Sequence, residues 1–434
     1  MLPIKRTISL IIFIIFSQVA NAQFLMDMID TSKSMGKSML SLYNRFDHIR
    51  ITGYIQPQFQ LAQQKGAKSF NGGDFAPLSN SRFMLRRSRI RFDYIRTNKQ
   101  NQASMQFAFQ FDATERGVLV RDVWARIFDN KFQKFAFTTG VFARPFGYEL
   151  NLSSSDRESP ERGRMSQTLM KTERDLGAMV TLENRKKNGK LKYLKMDAGF
   201  FNGQGLTGTA DFDSYKDLIA RVALKPYPLT KTITVSAGAS LLQGGILQNS
   251  KYRYQIDPSI NKGTFSIDSS LSNINRKDPR HYRGVDAQVK IKHHWGFTEM
   301  RGEYWWGTQT ASASSSETPG VLLGATDGYY IRSFNGAFFY LLQNILNSHH
   351  QIGLKYDWYD PNTQLTGTDI GKTATAGIAN IKYSTFSAGY NFYVNENLKL
   401  MLWYDWVKNE NTALAGYLTD VKDNVFTCRL QFRF

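Results

Sequence analysis

The last ten residues of the chain, Val425 to Phe434, alternate between apolar and polar side chains without interruption. One face carries Phe426, Cys428, Leu430, Phe432 and Phe434, and the other carries Thr427, Arg429, Gln431 and Arg433. Because successive side chains of a strand point to opposite sides of the sheet, this pattern predicts an amphipathic β-strand that ends the chain. It is typical either of a membrane β-barrel or of the edge of a soluble β-sandwich, and the rest of the chain distinguishes the two.

Sixteen segments show strand-like alternation, and the connections between them alternate in length. The segments lie near 51–61, 83–95, 102–112, 118–128, 134–142, 175–183, 193–201, 215–225, 231–241, 284–293, 297–306, 329–341, 350–358, 382–392, 398–407 and 425–434. Short turns such as 97–101 follow even-numbered segments, and long loops such as 143–174 and 242–283 follow most odd-numbered ones. This segregation is typical of outer-membrane barrels, and sixteen strands enclose a lumen that holds water. We therefore predict an all-β fold, a transmembrane antiparallel β-barrel of about sixteen strands with a short N-terminal helix.

The N-terminus, residues 1–22, has the pattern of a secretory signal peptide. Lys5 and Arg6 precede an apolar run at 8–16 that is too short to span a bilayer, and small residues at 20 and 22 provide a cleavage pattern. We expect cleavage before Gln23.

Residues 23–48 precede the predicted barrel and follow a different period. Apolar residues such as Met28, Met35 and Leu42 recur at helical spacing, which predicts a periplasmic amphipathic helix or leader. Such a helix could plug the pore, contact other subunits or bind a partner, and an unstructured leader is the alternative. The barrel with its long outer loops would occupy residues 49–434.

The chain is strongly basic. Its formal charge is +19, and removal of the two basic residues in 1–22 leaves 19 − 2 = +17. An exported protein does not meet nucleic acid, so the charge suits a lumen for anions or contact with acidic outer-membrane lipopolysaccharide and lipid.

Nothing in the sequence predicts an enzyme, a cofactor or a metal site. Four of the six histidines form the adjacent pairs His293–His294 and His349–His350, and neighbours on a strand point opposite ways. No zinc-protease, nucleophile-elbow or phosphate-loop motif occurs. The sequence therefore favours a channel, and a catalytic barrel remains a minor alternative.

Several motifs together resemble a known family. Gly140 to Glu149 matches the pattern G-x-F-x-x-P-F-G-x-E, and further matches are Arg174 to Ala178, Gly199 to Gly203, Arg82 to Arg91, and Asp122 with Trp124. These segments resemble the phosphate-selective porin O and P family over residues 50 to about 225, while the C-terminal half matches only in its barrel pattern and its ending. The resemblance implies a homotrimeric porin in the outer membrane of a Gram-negative bacterium, whose terminal aromatic, here Phe434, is recognised by the barrel assembly machinery.

The resemblance also implies that the third outer loop, residues 143–174, folds into the lumen as the constriction. Its basic residues are Arg144, Arg157, Arg162, Arg164, Lys171 and Arg174, and its acidic residues are Glu149, Asp156, Glu158, Glu161 and Glu173. A net charge near +1 is weak for an anion trap. Salt bridges within the loop could hold its shape, which leaves phosphate selectivity open.

The candidate anion path is a set of lumen-facing cations on the second and tenth segments. These are Arg87, Arg89, Arg91, Lys290 and Lys292. Residues two apart on a strand stand roughly 7 Å apart, and a guanidinium binds two phosphate oxygens at once, so an anion could pass from one arginine to the next. Alternatively, these arginines pair with wall carboxylates such as Asp93 or Asp112. A further triplet, Arg301 between Glu299 and Glu303, is predicted to be a salt-bridge cluster of the wall.

These patterns predict an outer-membrane porin that allows passive diffusion of small anions, with phosphate or other oxyanions as candidates. Two alternatives stay open. One is a porin with little selectivity, and the other is a plugged structural or adhesive barrel that acts through its outer loops.

Overall fold

We describe the fold from a computed structural model. The structure describes residues 48–434 except 187, 188, 190, 209, 258 and 260–262. The predicted signal peptide and almost all of the segment 23–48 lie outside the described residues.

The strands of the described chain form one continuous β-sheet. In chain order they are β1 (Ile49–Ala62), β2 (Ser81–Thr97), β3 (Ala103–Thr114), β4 (Gly117–Phe128), β5 (Phe135–Ala143), β6 (Arg174–Glu183), β7 (Leu194–Phe201), β8 (Asp217–Pro228), β9 (Ile233–Leu247), β10 (Arg253–Gln255), β11 (Ser266–Asp268), β12 (Lys277–His293), β13 (Gly296–Ala311), β14 (Tyr329–Asn344), β15 (His350–Asp360), β16 (Tyr383–Tyr393), β17 (Leu398–Asn409) and β18 (Val425–Arg433).

The sheet closes on itself as a barrel of sixteen antiparallel strands, β1–β9 and β12–β18. Each strand pairs with the next, β9 pairs with β12, and β18 pairs with β1. The short hairpin of β10 and β11 is not one of the sixteen strands of this ring. It is joined to the barrel by the parallel pairing of β10 with β14. The predicted fold class is therefore confirmed, and all sixteen predicted segments coincide with barrel strands.

The strands extend beyond the predicted limits where a long loop was expected. β9 continues to Leu247 and β12 begins at Lys277, so the loop between them is shorter than 242–283 and contains the β10–β11 hairpin. β14 runs without a break through Asn335 and Gly336. We call the end of the barrel with short connections, such as 394–397, the turn end, and the opposite end the loop end.

Helical structure is limited in the described chain. The helix α1 spans Arg164–Leu169, and three 3-10 turns span Gly205–Thr207, Leu271–Asn273 and Ile378–Asn380. None of the helices among the described residues is long and apolar enough to cross a bilayer.

The two faces of the barrel wall differ as the alternation predicts. Outward side chains are apolar and exposed, for example Phe83, Val180 and Phe339. Inward side chains of the same wall include buried polar groups such as Asp122 and Arg429. The lumen is therefore the polar side of the sheet, as in membrane barrels that carry water.

Candidate functional site: a pore lined by a folded-in loop

The loop between β5 and β6, residues 144–173, is called L3 here, and it lies inside the barrel. Its residues contact wall side chains far away in the sequence. Ser159 hydrogen-bonds Tyr340 on β14 across 2.7 Å, and the ammonium of Lys399 on β17 donates to the carbonyl of Arg157 across 2.9 Å. L3 therefore crosses the lumen, as the family resemblance implied.

A wall carboxylate holds the start of L3. The backbone N–H groups of Tyr148 and Glu149 donate to Glu303 on β13 at 3.0 and 2.9 Å, and the indole of Trp305 donates to the same carboxylate. Gly147 makes this turn possible, because its φ is +65° and a Cβ there would overlap a Glu303 oxygen. Glu303 therefore binds backbone amides of L3.

A carboxylate of L3 holds the middle of the loop in the same way. Glu149 accepts hydrogen bonds from the backbone N–H of Gly163 at 3.0 Å and from the hydroxyl of Ser166 at 2.7 Å. These donors stand at the beginning of α1, where the backbone N–H groups have no partner within the helix. Together with Glu303, this contact fixes the path of L3 from β5 to α1.

One side of L3 packs on the wall as an apolar core. The loop supplies Phe146, Leu150, Met165, Leu169 and Met170, and the wall supplies Phe142, Met179, Phe201, Ile219, Leu242, Tyr282, Trp305, Phe334 and Tyr359. The ring of Phe146 meets Trp305 edge to face with centroids 4.7 Å apart, a favourable aromatic geometry. This part of the lumen is therefore filled by L3.

On the opposite wall, three arginines surround one carboxylate of L3. Glu161 pairs with Arg86 at 2.8 Å, Arg87 at 2.6 Å and Arg429 at 2.9 Å. Burial would raise the pKa of Glu161, but the three guanidinium groups hold that pKa well below its ordinary value. Glu161 therefore stays ionised, and the cluster carries two more positive than negative charges.

A β-bulge explains why Arg86 and Arg87 both reach Glu161. The pairing of β1 with β2 shifts between Gln56 and Pro57, so that Arg87 pairs with Gln56 while Leu85 pairs with Pro57. The extra residue, Arg86, leaves the regular alternation and turns to the same side as its neighbour. Strict alternation predicted only Arg87 for the lumen, and proline within the first strand was the signal for a bulge.

The other two arginines of the predicted path are also paired with carboxylates. Arg89 pairs with Asp112 at 2.9 Å, and Arg91 pairs with Asp93 at 2.6 Å and with Asp122 at 3.4 Å. The structure thus shows the alternative considered from the sequence, in which the arginines brace the wall. The side chain of Arg91 nevertheless stays 27% exposed to the lumen.

The predicted lysines lie apart from the arginines, near the turn end of β12. Lys290 lies 3.7 Å from Glu299 and 3.6 Å from the ring centroid of Phe297, and Lys292 is exposed. The predicted wall cluster is partly as expected: Arg301 pairs with Glu299 and with Glu158 of L3. Glu303 instead holds the L3 backbone.

Two basic residues of L3 bind its own backbone. Arg144 donates to the carbonyl of Thr172, and Arg162 donates to the carbonyls of Ser166 and Met170 at 3.0 and 3.3 Å. Both arginines are buried. They hold the shape of L3 and do not face a solute.

Two more basic residues of the predicted loop 143–174 form ion pairs. Arg174, at the start of β6, lies 3.0 Å from Asp122 and 3.5 Å from Glu173. Lys171 lies 2.8 Å from Glu317 near the loop end, where its side chain is 58% exposed. These pairs fasten the C-terminal part of L3 to the wall and to an outer loop.

The last two cations of L3 have no carboxylate within salt-bridge distance in the described part of the chain. Arg157 is buried and donates to the carbonyl of Leu152 at 3.4 Å, while its Nε has no partner there. Arg164 instead contacts the rings of Phe70 and Tyr383. Neither environment was readable from the sequence, since both depend on the path of the loop.

A cavity of about 430 Å³, called the pore cavity here, lies between L3 and the wall of β1–β7. Its basic lining residues are Arg89, Arg91, Arg126, Arg174, Lys195 and Arg433, and its acidic ones are Asp122, Asp156, Glu173 and Asp197. Six positive and four negative charges give a net charge of +2.

Arg126 is the pore residue that sequence analysis missed. It donates to the hydroxyl of Thr138 at 2.7 Å, and among the described residues no carboxylate lies within 4.0 Å of it. Arg126 and Arg91 both lie over the ring of Trp124, 5.2 and 5.4 Å from its centroid. The alternation of the fourth segment, which places 122, 124 and 126 on one face, was the available signal.

A second cavity of about 900 Å³, called the vestibule here, lies on the loop side of L3. It is bounded by L3 and by the outer loops 63–80, 312–328, 361–382 and 410–424. The vestibule thus lies toward the loop end, whereas the pore cavity is lined by Arg433 and Lys195 of the wall.

The terminal Phe434 lies at the seam of the barrel. Its N–H and C=O exchange hydrogen bonds of 3.0 Å with Gly53 of β1, and its ring rests where a Gly53 side chain would stand. Recognition of Phe434 by the assembly machinery stays a prediction.

A closed antiparallel barrel of sixteen strands, narrowed by a loop folded into a polar lumen, defines the outer-membrane porin class. The sequence model of the family "phosphate-selective porin O and P" matches residues 330–434, in agreement with the predicted resemblance. The matched region comprises β14 to β18, whereas the motifs that suggested the family lie between residues 82 and 203. The match of the family model to residues 330–434 and the barrel fold together indicate a porin-like protein of the Gram-negative outer membrane.

Solved structures share the fold at low sequence identity. The outer-membrane channel DcaP of Acinetobacter baumannii has a TM-score of 0.53 and 13% identity, with 89% of this chain and 97% of that chain covered. OprB of Pseudomonas putida has a TM-score of 0.52 and 8% identity, with 92% and 96% covered. An anion-selective porin from Comamonas acidovorans has a TM-score of 0.50 and 10% identity, with 89% and 99% covered. None of the curated proteins compared with the chain matches it.

Proposed function

We propose that the protein is a porin for passive diffusion of small anions, with phosphate and other oxyanions as candidate solutes. The observation that carries the proposal is the excess of arginine where L3 meets the β1–β7 wall. The pore cavity has a net charge of +2 from its lining residues, and Arg126 faces it without a paired carboxylate in the described chain. Fixed positive charge along a narrow aqueous path raises the local concentration of anions.

Arg91 and Arg126 are the residues we assign to the anion path. Both line the pore cavity beside Trp124. A guanidinium can bind two oxygens of an oxyanion, and contact with water keeps the attraction weak enough for release. Arg87 and Arg89 have a different role in this proposal. Each is nearly buried in an ion pair, so it adds positive electrostatic potential to the pore but does not bind the solute.

The assembly we propose is a homotrimer in the outer membrane, produced with a cleaved signal peptide. Its expected partners are small anions, outer-membrane lipid and lipopolysaccharide, and the assembly machinery that reads Phe434. These partners follow from the family resemblance and from the positive charge of the chain.

The test is the reversal potential of the refolded protein in a planar bilayer under a KCl gradient. We expect a chloride preference and a current reduction by added phosphate. Arg91→Gln with Arg126→Gln should lower both. The matched control, Lys290→Gln with Lys292→Gln, removes the same charge from the turn end and should change selectivity less. A reversal potential near zero for the unmodified protein would contradict the proposal.

The second candidate is a porin with little selectivity. Its support is the pairing of Arg87, Arg89 and Arg91 with Glu161, Asp112 and Asp93, which neutralises much of the predicted column. In that case the double variant at 91 and 126 would leave the reversal potential unchanged.

A further inference from the structure

The vestibule differs from the pore cavity in both size and lining. Its volume of about 900 Å³ lies in the range of pockets that hold organic molecules, roughly 300–1,000 Å³. An inorganic oxyanion needs only a small part of this space. The cavity is therefore large enough for a solute with a carbon skeleton.

An arginine of L3 lines the vestibule together with Asp423, and no carboxylate in the described part of the chain lies within salt-bridge distance of its guanidinium. The guanidinium carbon of Arg164 lies 4.3 Å from the ring centroid of Phe70 and 3.7 Å from that of Tyr383. Its Nε is buried and has no hydrogen-bond partner in the described part of the chain. Aromatic rings attract a guanidinium but leave the N–H groups at its edge without an acceptor, so an anion can bind there.

The wall around Arg164 has an apolar part beside charged groups such as Lys68 and Asp423. Ile378 and Ile381 come from the loop that precedes β16, and Tyr417 comes from the loop that precedes β18. Together with Phe70 and Tyr383 they surround the cavity beside the guanidinium. This apolar part of the wall does not bind a hydrated inorganic anion, but it stabilises an apolar ring by removing it from water.

From this juxtaposition we propose that the vestibule binds aryl carboxylates. The carboxylate would accept hydrogen bonds from the edge of Arg164, and the aryl ring would lie against the aromatic and aliphatic wall. The role of this site in solute uptake rests on the proposed anion channel, since solutes held here would stand directly above the pore.

Binding can be tested apart from ion selectivity. We would titrate benzoate and acetate into the full-length protein in detergent by calorimetry, and record both as blockers from the loop side in planar bilayers. Benzoate should bind about tenfold more tightly than acetate, because only benzoate has a ring to bury. Equal affinities for the two anions, or no benzoate binding, would overturn the inference.

Three variants connect the binding to the named residues. Arg164→Gln should abolish benzoate binding. Tyr383→Leu should reduce the preference for benzoate over acetate while leaving the affinity for acetate unchanged. Lys171→Gln is the matched control, because it removes one positive charge from the same vestibule at a residue paired with Glu317. If Lys171→Gln weakens benzoate binding as much as Arg164→Gln does, benzoate is attracted only by the overall positive charge of the vestibule and the inference is wrong.

The two proposals fail in different ways. A channel with no chloride preference that still binds benzoate through Arg164 would remove the proposed function and keep the vestibule site. A chloride-selective channel that binds benzoate and acetate with equal affinity would keep the proposed function and remove the vestibule site.

Discussion

The backbone N–H of Glu149 donates to the carboxylate of Glu303 across 2.9 Å and thereby joins L3 to the barrel wall. The amide of Tyr148 adds a second donor, and Gly147 provides the left-handed backbone that aims both amides. This contact gives a physical reason for the P-F-G-x-E motif, in which glycine is needed for the turn and glutamate for the next anchor.

Gly147→Ala should therefore destabilise the barrel. The left-handed backbone costs a non-glycine residue roughly 1–2 kcal/mol. In addition, the new Cβ would overlap a Glu303 oxygen. Gly73→Ala is the control, because Gly73 also has a positive φ of 95° but a Cβ added there would meet nothing within 4 Å. The midpoint of urea-induced unfolding in lipid vesicles should fall more for Gly147→Ala, and equal losses would show that Glu303 does not matter.

Glu161→Gln should both destabilise the protein and increase its preference for anions. The change leaves Arg86, Arg87 and Arg429 without their shared counter-charge, and breaking a buried ion pair costs about 3–5 kcal/mol. The reversal potential should shift further toward that of chloride, because one negative charge is lost beside the pore.

The control for Glu161→Gln is Glu317→Gln. Glu317 pairs with the exposed Lys171, and exposed pairs contribute at most about 1 kcal/mol. Its unfolding midpoint should stay close to that of the unmodified protein. A stable Glu161→Gln variant with unchanged selectivity would show that the arginine cluster does not shape the pore.

Lowering the pH should increase the anion selectivity of the channel, because Asp423 in the last outer loop becomes protonated. Burial raises the pKa of Asp423 to about 6, Asp420 acts in the same direction, and Arg164 acts against it. As the pH falls from 7 to 5, Asp423 loses its negative charge and the vestibule becomes more positive. The chloride preference should rise over this range, and Asp423→Asn should have the higher preference already at pH 7.

The control for the pH effect is Asp369→Asn. Hydrogen bonds from Thr366 lower the pKa of Asp369, so this residue keeps its charge across the same range. Glu161 also stays ionised, because its pKa lies well below the ordinary value, and L3 should remain anchored at pH 5. A large change of single-channel conductance between pH 7 and 5 would argue that L3 moves instead.

Gly53→Ala should slow closure of the barrel. A Cβ at this position would lie 2.6 Å from the carbonyl of Arg89 and 2.5 Å from the ring of Phe434. Gly377→Ala is the control, because a Cβ added at Gly377 would meet nothing within 4 Å and its φ is −92°. Refolding into vesicles, followed by the heat-dependent shift on gels, should be slower for Gly53→Ala, whereas equal rates would contradict the role of this seam.

The barrel could be predicted from sequence because its signal is local. Each strand repeats every two residues, and the connections differ in length between the two ends, so neither feature requires distant contacts. The path of L3 could not be predicted in this way. Glu161 and Arg429 are 268 positions apart, and their pairing depends on the closure of the whole barrel.

Two residues show where alternation fails. Arg86 leaves its expected face because of the bulge at Pro57, and Trp305 is apolar but points inward, where it packs on L3. Alternation alone places apolar side chains on the lipid-facing outside of the barrel and polar side chains in the water-filled lumen. A loop that brings its own apolar core into the lumen reverses this rule for the strands it covers.

Because β1 and β18 are the first and last strands of the barrel, the cylinder can be sealed only once both strands have been made. A chain that lacks its C-terminal strand would expose two unpaired edges, one on β1 and one on β17, each a template for aggregation. Closure therefore removes both edges in a single pairing, that of β1 with β18.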